Sequence, residues 1–281
     1  MGQSQCQVSE PSEPRLVLTS DVWRFDKDPE EFAFTAMLWE QNGDFYHYRR
    51  EERDSDADAD LELFQKAILV PRDYYLARLP PPGAPATRAP STALADPNVF
   101  FKRTEPIMYD PTHTEKCRPA DDQADEMRIC EELRQNPHPN ICRYLGYVPT
   151  LDGNSIAGLC FERHEMNLDS AVEDNFSFNA TAVIEDVRSG LDHLHSLGYA
   201  HNDINPGNIV LTKTGLAVII DFDSCHKIGE SLRGKKAGTV NWDHQSEISL
   251  PENDYHLLRE VEKWLAENVR ETHGLENEDS R

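Results

Sequence analysis

The sequence predicts an α+β protein, with strands crowding its N-terminal part and helices dominating its end. Three observations predict it. A hairpin signal stands early, where Ala36-Met37-Leu38-Trp39 and Phe45-Tyr46-His47-Tyr48 flank Gln41-Asn42-Gly43-Asp44. An Asn-Gly step accepts positive φ at both central turn positions. Apolar runs of strand length recur at Val99-Phe100-Phe101-Lys102, 141–148 and 156–161. Finally, residues 179–197 carry Ile184, Val187, Leu191 and Leu194 at helical spacing.

The remaining elements follow in order. Residues 1–14 are polar, carry two prolines and read as a tail. Leu16-Val17-Leu18-Thr19 is a short strand. Residues 51–60 hold six carboxylates and one arginine. Evenly spread carboxylates read as a solvated loop, with metal binding the sharper alternative. Residues 61–79 read as helix then strand, and Pro80-Pro81-Pro82-Gly83-Ala84-Pro85 as a stiff linker. A helix is expected over 121–135, with Met127, Cys130 and Leu133 on one stripe and Pro137 beyond its end. Gly198 sits where a helix C-terminus wants positive φ. Strands at 209–211 and 216–220 flank a Lys213-Thr214-Gly215 turn. The last helix begins near Asp254 and shows Leu258, Val261 and Leu265, with a polar tail after Glu267. No internal repeat is present.

Composition narrows the function. The 281 residues include 28 Lys+Arg against 51 Asp+Glu, a net charge of −23. Phosphate backbones and anionic lipids are gripped by clustered cations, so nucleic-acid and membrane partners are not expected. The six cysteines (Cys6, Cys117, Cys130, Cys142, Cys160, Cys225) form no CxxC pair, which suits free thiols in a reducing compartment. No apolar run reaches the ~20 residues of a membrane helix, and no secretory segment is seen. Met1-Gly2-Gln3-Ser4-Gln5-Cys6 half matches an acylation signal, but Cys6 stands where Ser or Thr is required. The expectation is a soluble, cytoplasmic, acidic protein.

The chemistry concentrates in His201-Asn202-Asp203-Ile204-Asn205-Pro206-Gly207-Asn208, followed by two strands and Asp221-Phe222-Asp223. Asp203 and Asn208 lie five apart after a buried helix, and Asp221 ends a strand thirteen residues on. Phosphoryl transfer needs such a set: a carboxylate facing the hydroxyl, and oxygen ligands for Mg²⁺ on the ATP phosphates. A hairpin between Asn208 and Asp221 brings its ends together for that purpose.

This stretch resembles the catalytic loop of the protein-kinase superfamily. Its HNDINPGNIVL…VIIDFDS form is similar to short fungal kinase-like proteins and to choline and aminoglycoside kinases. The resemblance spans about 97–267. It implies a two-lobed kinase-like fold, with a small β-rich N-lobe and a truncated, mainly helical C-lobe. It implies Asp203 as catalytic base, with Asn205 beside it where Ser/Thr kinases keep a lysine. Asn208 and Asp221 become the magnesium ligands, and Lys102 the lysine on the α and β phosphates. Glu126 is the counter-charge for Lys102, although an edge-strand surface role for Lys102, or Lys116 in its place, stays open. Leu159-Cys160-Phe161-Glu162-Arg163-His164 resembles the hinge: Glu162 and His164 offer backbone groups to adenine, and Phe161 closes the back of the pocket. The implied cofactors are ATP and Mg²⁺.

Four departures stand out. No Gly-x-Gly-x-x-Gly precedes Lys102, and Gly83 is the only glycine between Asp44 and Ala95, although glycines let backbone N–H groups approach phosphate. Asn202 replaces the loop arginine that pairs with an activation-segment phosphate. Asn205 removes a cation near the γ-phosphate, for which Arg233, Lys235 or Lys236 could substitute. Asp223 replaces glycine, and points either toward the metal or to solvent. Farther on, Gly238-Thr239-Val240-Asn241-Trp242 resembles the segment that receives the substrate. Asp254 resembles the aspartate that braces the catalytic loop, and Glu252 competes for an activation-segment role.

The expected organisation is a tail (1–14), a β-rich extension with acidic loop and Pro-rich linker (15–95), a kinase N-lobe (96–164), a truncated C-lobe (165–268) and a polar tail (269–281). The extension either caps the small lobe or supplies the missing nucleotide-covering strands. The expected activity is ATP/Mg-dependent transfer of the γ-phosphate to a hydroxyl, with Ser/Thr of a protein as acceptor. The alternatives are a pseudokinase acting as a binding module and a small-molecule kinase.

Overall fold

The computed structural model describes residues 12–24, 31–53, 61–114, 118–235, 238–239, 241–242, 244 and 246–269. The chain divides into two compact units, Met1–Ala77 with Thr104–Asp121 and Arg78–Arg103 with Asp122–Arg281.

In the first unit, strands β1 (Arg15–Arg24), β2 (Glu31–Gln41), β3 (Asp44–Arg50) and β4 (Ile68–Leu69) form an antiparallel sheet in chain order. The Asn-Gly hairpin forms as expected: Asn42 and Gly43 adopt φ of 54° and 81°. The strand expected at Leu16–Thr19 is longer, because β1 pairs with β2 along its whole length and absorbs two register shifts. Residues 61–79 are not simply helix then strand. Single-turn helices α1 (Leu61–Phe64) and α2 (Arg72–Tyr75) flank a two-residue β4. Pro71, which has no N–H to give a ladder, stands just beyond β4 and caps α2. The core gathers Leu38, Phe45, Val70, Tyr74, Tyr75 and Tyr109, with edge-to-face ring pairs Phe45–Tyr75 at 5.2 Å and Tyr74–Tyr109 at 4.9 Å. Residues 54–60 of the acidic run, Lys116 and both terminal tails up to Pro11 and from Arg270 lie outside the described residues.

The second unit begins its sheet with β5 (Val99–Lys102). Helix α3 (Pro119–Gln135) follows, then β6 (Tyr144–Pro149) and β7 (Ile156–Glu162), in sheet order β5-β7-β6. Met127, Cys130 and Leu133 of α3 are buried, as their spacing predicts. The strand expected over 141–148 starts only at Tyr144. Ahead of it, Cys142 N–H donates to Ile219 O and Ile219 N–H to Asn140 O, so the backbone at 140–142 is already committed elsewhere.

The proline stretch is not a free linker. Arg88 bridges Tyr147 in parallel, with Ala89 N–H donating to Tyr147 O and Tyr147 N–H to Thr87 O. A Cβ on Gly146 (φ 129°) would sit 2.5 Å from Ala89 N, so only glycine admits this approach. The Thr87 N–H and hydroxyl both donate to the buried Glu131 carboxylate on α3. Ala89 and Ala93 then join Val99 and Cys160 in a small core. Residues 78–95 thus pack on the β5-β7-β6 sheet, because small residues and a single glycine let the backbone come close.

Next come β8 (Met166–Asn167), α4 (Leu168–Glu173) and α5 (Ala180–Ser196). Helix α5 is capped by the Asn179 side chain, which accepts from Ala182 N–H, and ends at Gly198 with φ 85°. Strands β9 (Tyr199–Ala200), β10 (Ile209–Leu211), β11 (Ala217–Ile219) and β12 (His226–Lys227) lead to α6 (Pro251–Asn268). The two-residue strands carry no periodicity, so only pairing reveals them. The last helix starts at Pro251, three residues before Asp254, because proline suits a first helical position. Helix α5 packs on α6 and β11. Val187, Leu191 and Leu194 meet no solvent, nor do Leu257 and Val261, and each such side chain is worth about 1.5–3 kcal/mol of burial. Among the described residues no helix is long and apolar enough to cross a membrane.

Candidate active site

Alternation along β5 places Lys102 and Phe100 on one face, lining a cavity of about 430 Å³. Glu126, Phe161, Glu162, His164, Asn208 and Asp221 line the same cavity, with Val210 and Met166. Strand β5 thereby brings Lys102 to Glu126: its Nζ lies 2.8 and 2.9 Å from the two carboxylate oxygens. Glu126 is buried on α3. Burial, reinforced by Asp221 and Asp223 and opposed by Lys102, pushes the Glu126 carboxyl above the usual range. Burial works against the Lys102 ammonium, but Glu126, Asp221 and Asp223 together hold it well above the ordinary lysine value. It is charged.

The β10–β11 hairpin closes as the spacing requires, with Ile220 N–H donating to Asn208 O. Asp221 follows in the left-handed region (φ 64°), its Oδ1 2.6 Å from Lys102 Nζ. Asp223 points inward rather than to solvent: its Oδ2 is 3.2 Å from the same nitrogen. Phe222 is fully buried against His201, ring centroids 5.6 Å apart, and its N–H donates to Glu126.

Asp203 is buried and encircled by donors. Asn205 Nδ2 and Thr239 N–H donate to Oδ1 at 3.1 and 2.9 Å. Asn208 Nδ2 and the Thr239 hydroxyl donate to Oδ2 at 3.1 and 3.0 Å. The Asn205 side chain also accepts from Gly207 N–H, capping the tight turn at Pro206–Asn208. Both orientation and position of this carboxylate are therefore set by its surroundings.

The loop is braced from α6. Asp254 is wholly buried and accepts from His201 N–H (2.8 Å), Asn202 N–H (2.7 Å) and His195 Nε2 (2.7 Å). Glu252, weighed for an activation-segment role, is exposed on the same turn. Asn202, at φ 63°, donates from Nδ2 to Ala200 O, Ser224 O and Ser249 Oγ, and accepts from Asn253. A neutral amide thus fills a polar niche, with every partner inside the protein. The expected substitutes for a lysine at Asn205 go elsewhere: Arg233 pairs with Glu247, and Lys235 with Asp125 and Glu230. Opposite charge nearer at hand claims them. Lys236 lies outside the described residues.

At the hinge, Glu162 N–H donates to Arg143 O and Arg163 N–H to Asn98 O. Cys142 turns its thiol toward Glu162 O at 3.6 Å, and burial pushes that thiol up to about 12. Cys130, Cys142, Cys160 and Cys225 are buried and free, and nothing activates them as nucleophiles.

Asn208 and Asp221 are hard oxygen donors on one cavity wall. Asn208 spends its amide N–H on Asp203, which leaves its carbonyl oxygen as the ligating atom. That donor set fits Mg²⁺, which is held by one or two protein oxygens together with substrate phosphates. Among the described residues no cluster of three His, Cys, Asp or Glu forms a ready-made metal cage. The sequence reading did not assign Thr239 to the site. Its signal was the Gly238-Thr239 pair, but spacing alone does not bring a hydroxyl to Asp203 across thirty-six residues.

The family model described as protein kinase domain matches residues 109–255. The serine/threonine-protein kinase/endoribonuclease IRE2 of Homo sapiens is 31% identical over 131 residues, 42% of this chain and 14% of that protein. Serine/threonine-protein kinase 1 of Arabidopsis thaliana is 31% identical over 125 residues, 40% of this chain and 14% of that protein. Serine/threonine-protein kinase pakA of Talaromyces marneffei is 41% identical over 119 residues, 39% of this chain and 17% of that protein. The chain spans less than a fifth of the length of each of these relatives. With more than half of its residues inside the family match, the chain belongs to the protein kinase family.

Proposed function

We propose that this chain is an ATP- and Mg²⁺-dependent phosphotransferase that moves the γ-phosphate to a hydroxyl, with Ser or Thr of a protein as acceptor. One observation carries the reading: Lys102, Glu126, Asn208 and Asp221 meet at a single cavity, and Asn208 also donates to Asp203. Lys102, charged and anchored by Glu126, grips the α and β phosphates. Phe161 backs the base, with the backbone of Glu162 and His164 beside its edge. Magnesium, held by Asn208 and Asp221, supplies neutralisation of charge on the β and γ phosphates. Asp203 orients the acceptor hydroxyl and takes its proton, its carboxylate already aimed by Asn205, Asn208 and Thr239. The names of the relatives support a protein acceptor.

A second reading, a nucleotide-binding module without turnover, is favoured by the segment ahead of β5. Residues 78–95 pair with β6 and form a short turn at Ala93–Ala95 instead of a glycine hairpin. One experiment separates the two. Thermal unfolding with Mg·ATP at 100 times its Kd gains about 2.7 kcal/mol, EDTA abolishes the gain, and Asp221→Ala loses it. Labelled γ-phosphate on a protein acceptor then establishes transfer. A magnesium-dependent gain without transfer favours the binding module, and no gain at millimolar ATP overturns the proposal.

A further inference from the structure

Helix α3 carries Glu126, whose bond to Lys102 is a poor anchor for a whole helix. Burial pushes the Glu126 carboxyl up, and a buried ion pair returns little beyond the cost of desolvating its two charges. The helix is also held from β9. Tyr199, almost wholly buried, donates its hydroxyl to half-buried Glu132 of α3 at 2.7 Å. Arg128, one turn earlier on α3, bonds to the same hydroxyl. Burial and the bond to Glu132 raise the phenol to about 12, so it stays a donor at neutral pH, and its bond to a carboxylate is charge-assisted. Glu126 and Glu132 lie six residues apart, which sets their side chains about 120° apart around the helix and about 9 Å apart along it. A tie at Glu132 therefore resists the rotation and the slide that would carry Glu126 off Lys102.

We infer that Tyr199 is a positioning residue whose hydroxyl, through Glu132, sets α3 so that Glu126 meets Lys102. Thr87 ties the neighbouring Glu131 to the proline segment, whereas Tyr199 ties α3 to the strand that leads into His201. One phenol thus links the helix that places Lys102 to the loop that carries Asp203. Without that bond Glu126 spends less time on Lys102, and the ammonium stays with Asp221, 2.6 Å away, instead of reaching nucleotide phosphate. This role rests on the phosphotransferase reading and adds to it a residue that does not line the cavity.

The test is calorimetric titration of Mg·ATP into the full chain, for the wild type, Tyr199→Phe, Glu132→Ala and Glu132→Gln, and for Glu126→Gln with and without Tyr199→Phe. Phenylalanine keeps the ring and loses only the hydroxyl. Tyr199→Phe and Glu132→Ala each weaken binding about tenfold, within the range by which a residue touching no ligand shifts a distant site. Glu132→Gln, whose amide oxygen still accepts from the phenol, stays within about twofold of the wild type. With Glu126→Gln in place, Tyr199→Phe weakens binding no further, because the residue it acts through is gone. A merely structural role lowers the unfolding midpoint in both backgrounds without that dependence. Affinity of Tyr199→Phe within about twofold of the wild type, or an equal loss in the two backgrounds, overturns the inference while leaving the phosphotransferase reading in place. Absence of Mg·ATP binding by the wild type overturns that reading, and the inference with it.

Discussion

Asp254→Asn changes one atom in a wholly buried carboxylate of the second unit, and its cost follows from the geometry. Oδ1 receives Asn202 N–H, and Oδ2 receives both His201 N–H and His195 Nε2. An amide has one oxygen. In either orientation its NH₂ faces a buried N–H that has lost its acceptor. An unsatisfied buried donor costs about 1–3 kcal/mol, and replacing a charged acceptor by a neutral one costs about 1 kcal/mol more for each remaining bond. The total is about 3–5 kcal/mol, large for one substitution. The loop also holds Asn202 at φ 63°, a conformation that costs an L-residue about 1–2 kcal/mol and that the two loop N–H bonds help to hold. Urea unfolding followed by helical circular dichroism reads the second unit, which carries α4, α5, α6 and most of α3. The midpoint falls while the slope stays constant. Glu252→Gln is the control, an exposed carboxylate on the same helical turn, expected to change stability by less than about 0.5 kcal/mol. It subtracts the contribution of negative charge near a helix N-terminus. A loss below about 1 kcal/mol for Asp254→Asn would refute the claim that this side chain braces the loop.

Two further expectations concern the supports around the site and the first unit. Thr87→Val removes the hydroxyl that donates to buried Glu131 and destabilises the second unit by about 1.5–3 kcal/mol, the value of a bond to a charged group. Thr87→Ser restores it, and a denaturation midpoint unchanged in Thr87→Val would show that the proline segment does not brace α3. His47 is buried, and burial, with Arg49 beside it, lowers its pKa to about 4. Its folded value lies below the unfolded one near 6.5, so between those values the unfolded chain binds more protons. Stability is then full above pH 6.5 and falls on acidification toward pH 4, by at most about 3 kcal/mol. His47→Gln flattens that part of the wild-type profile, measured by thermal unfolding at each pH, and identical slopes in the two proteins would remove His47 as the cause.

What the sequence made legible depended on how far apart the cooperating residues lie. The Asn42-Gly43 turn, the α5 stripe and the closure of Asn208 on Asp221 are local, and period, turn chemistry and loop length suffice for them. Lys102, Glu126 and Asp221 span 119 positions. They were found through a resemblance whose residue types are dictated by phosphate and metal chemistry. The proline segment misled because composition reports stiffness and not destination. Its docking depends on Gly146, sixty residues away, having no side chain, and on Glu131 accepting from Thr87. Asp223 was legible as a departure, but its direction was not, since aspartate reaches solvent or cavity equally well from a loop. The hydroxyl of Ser224 and the ammonium of Lys102 decide it. Asn202 and Asn205 follow the same rule. As replacements for cations they read as losses, yet both are buried and engaged: Asn202 with Ser249 and Asn253, Asn205 with Asp203 and Thr239. A buried amide satisfied on all sides avoids the desolvation cost of a buried charge. The positive charge absent from this loop is found instead on a strand, where Lys102 is hydrogen-bonded to Glu126, Asp221 and Asp223, so the acidic groups find their cation through the fold and not through the loop's own sequence.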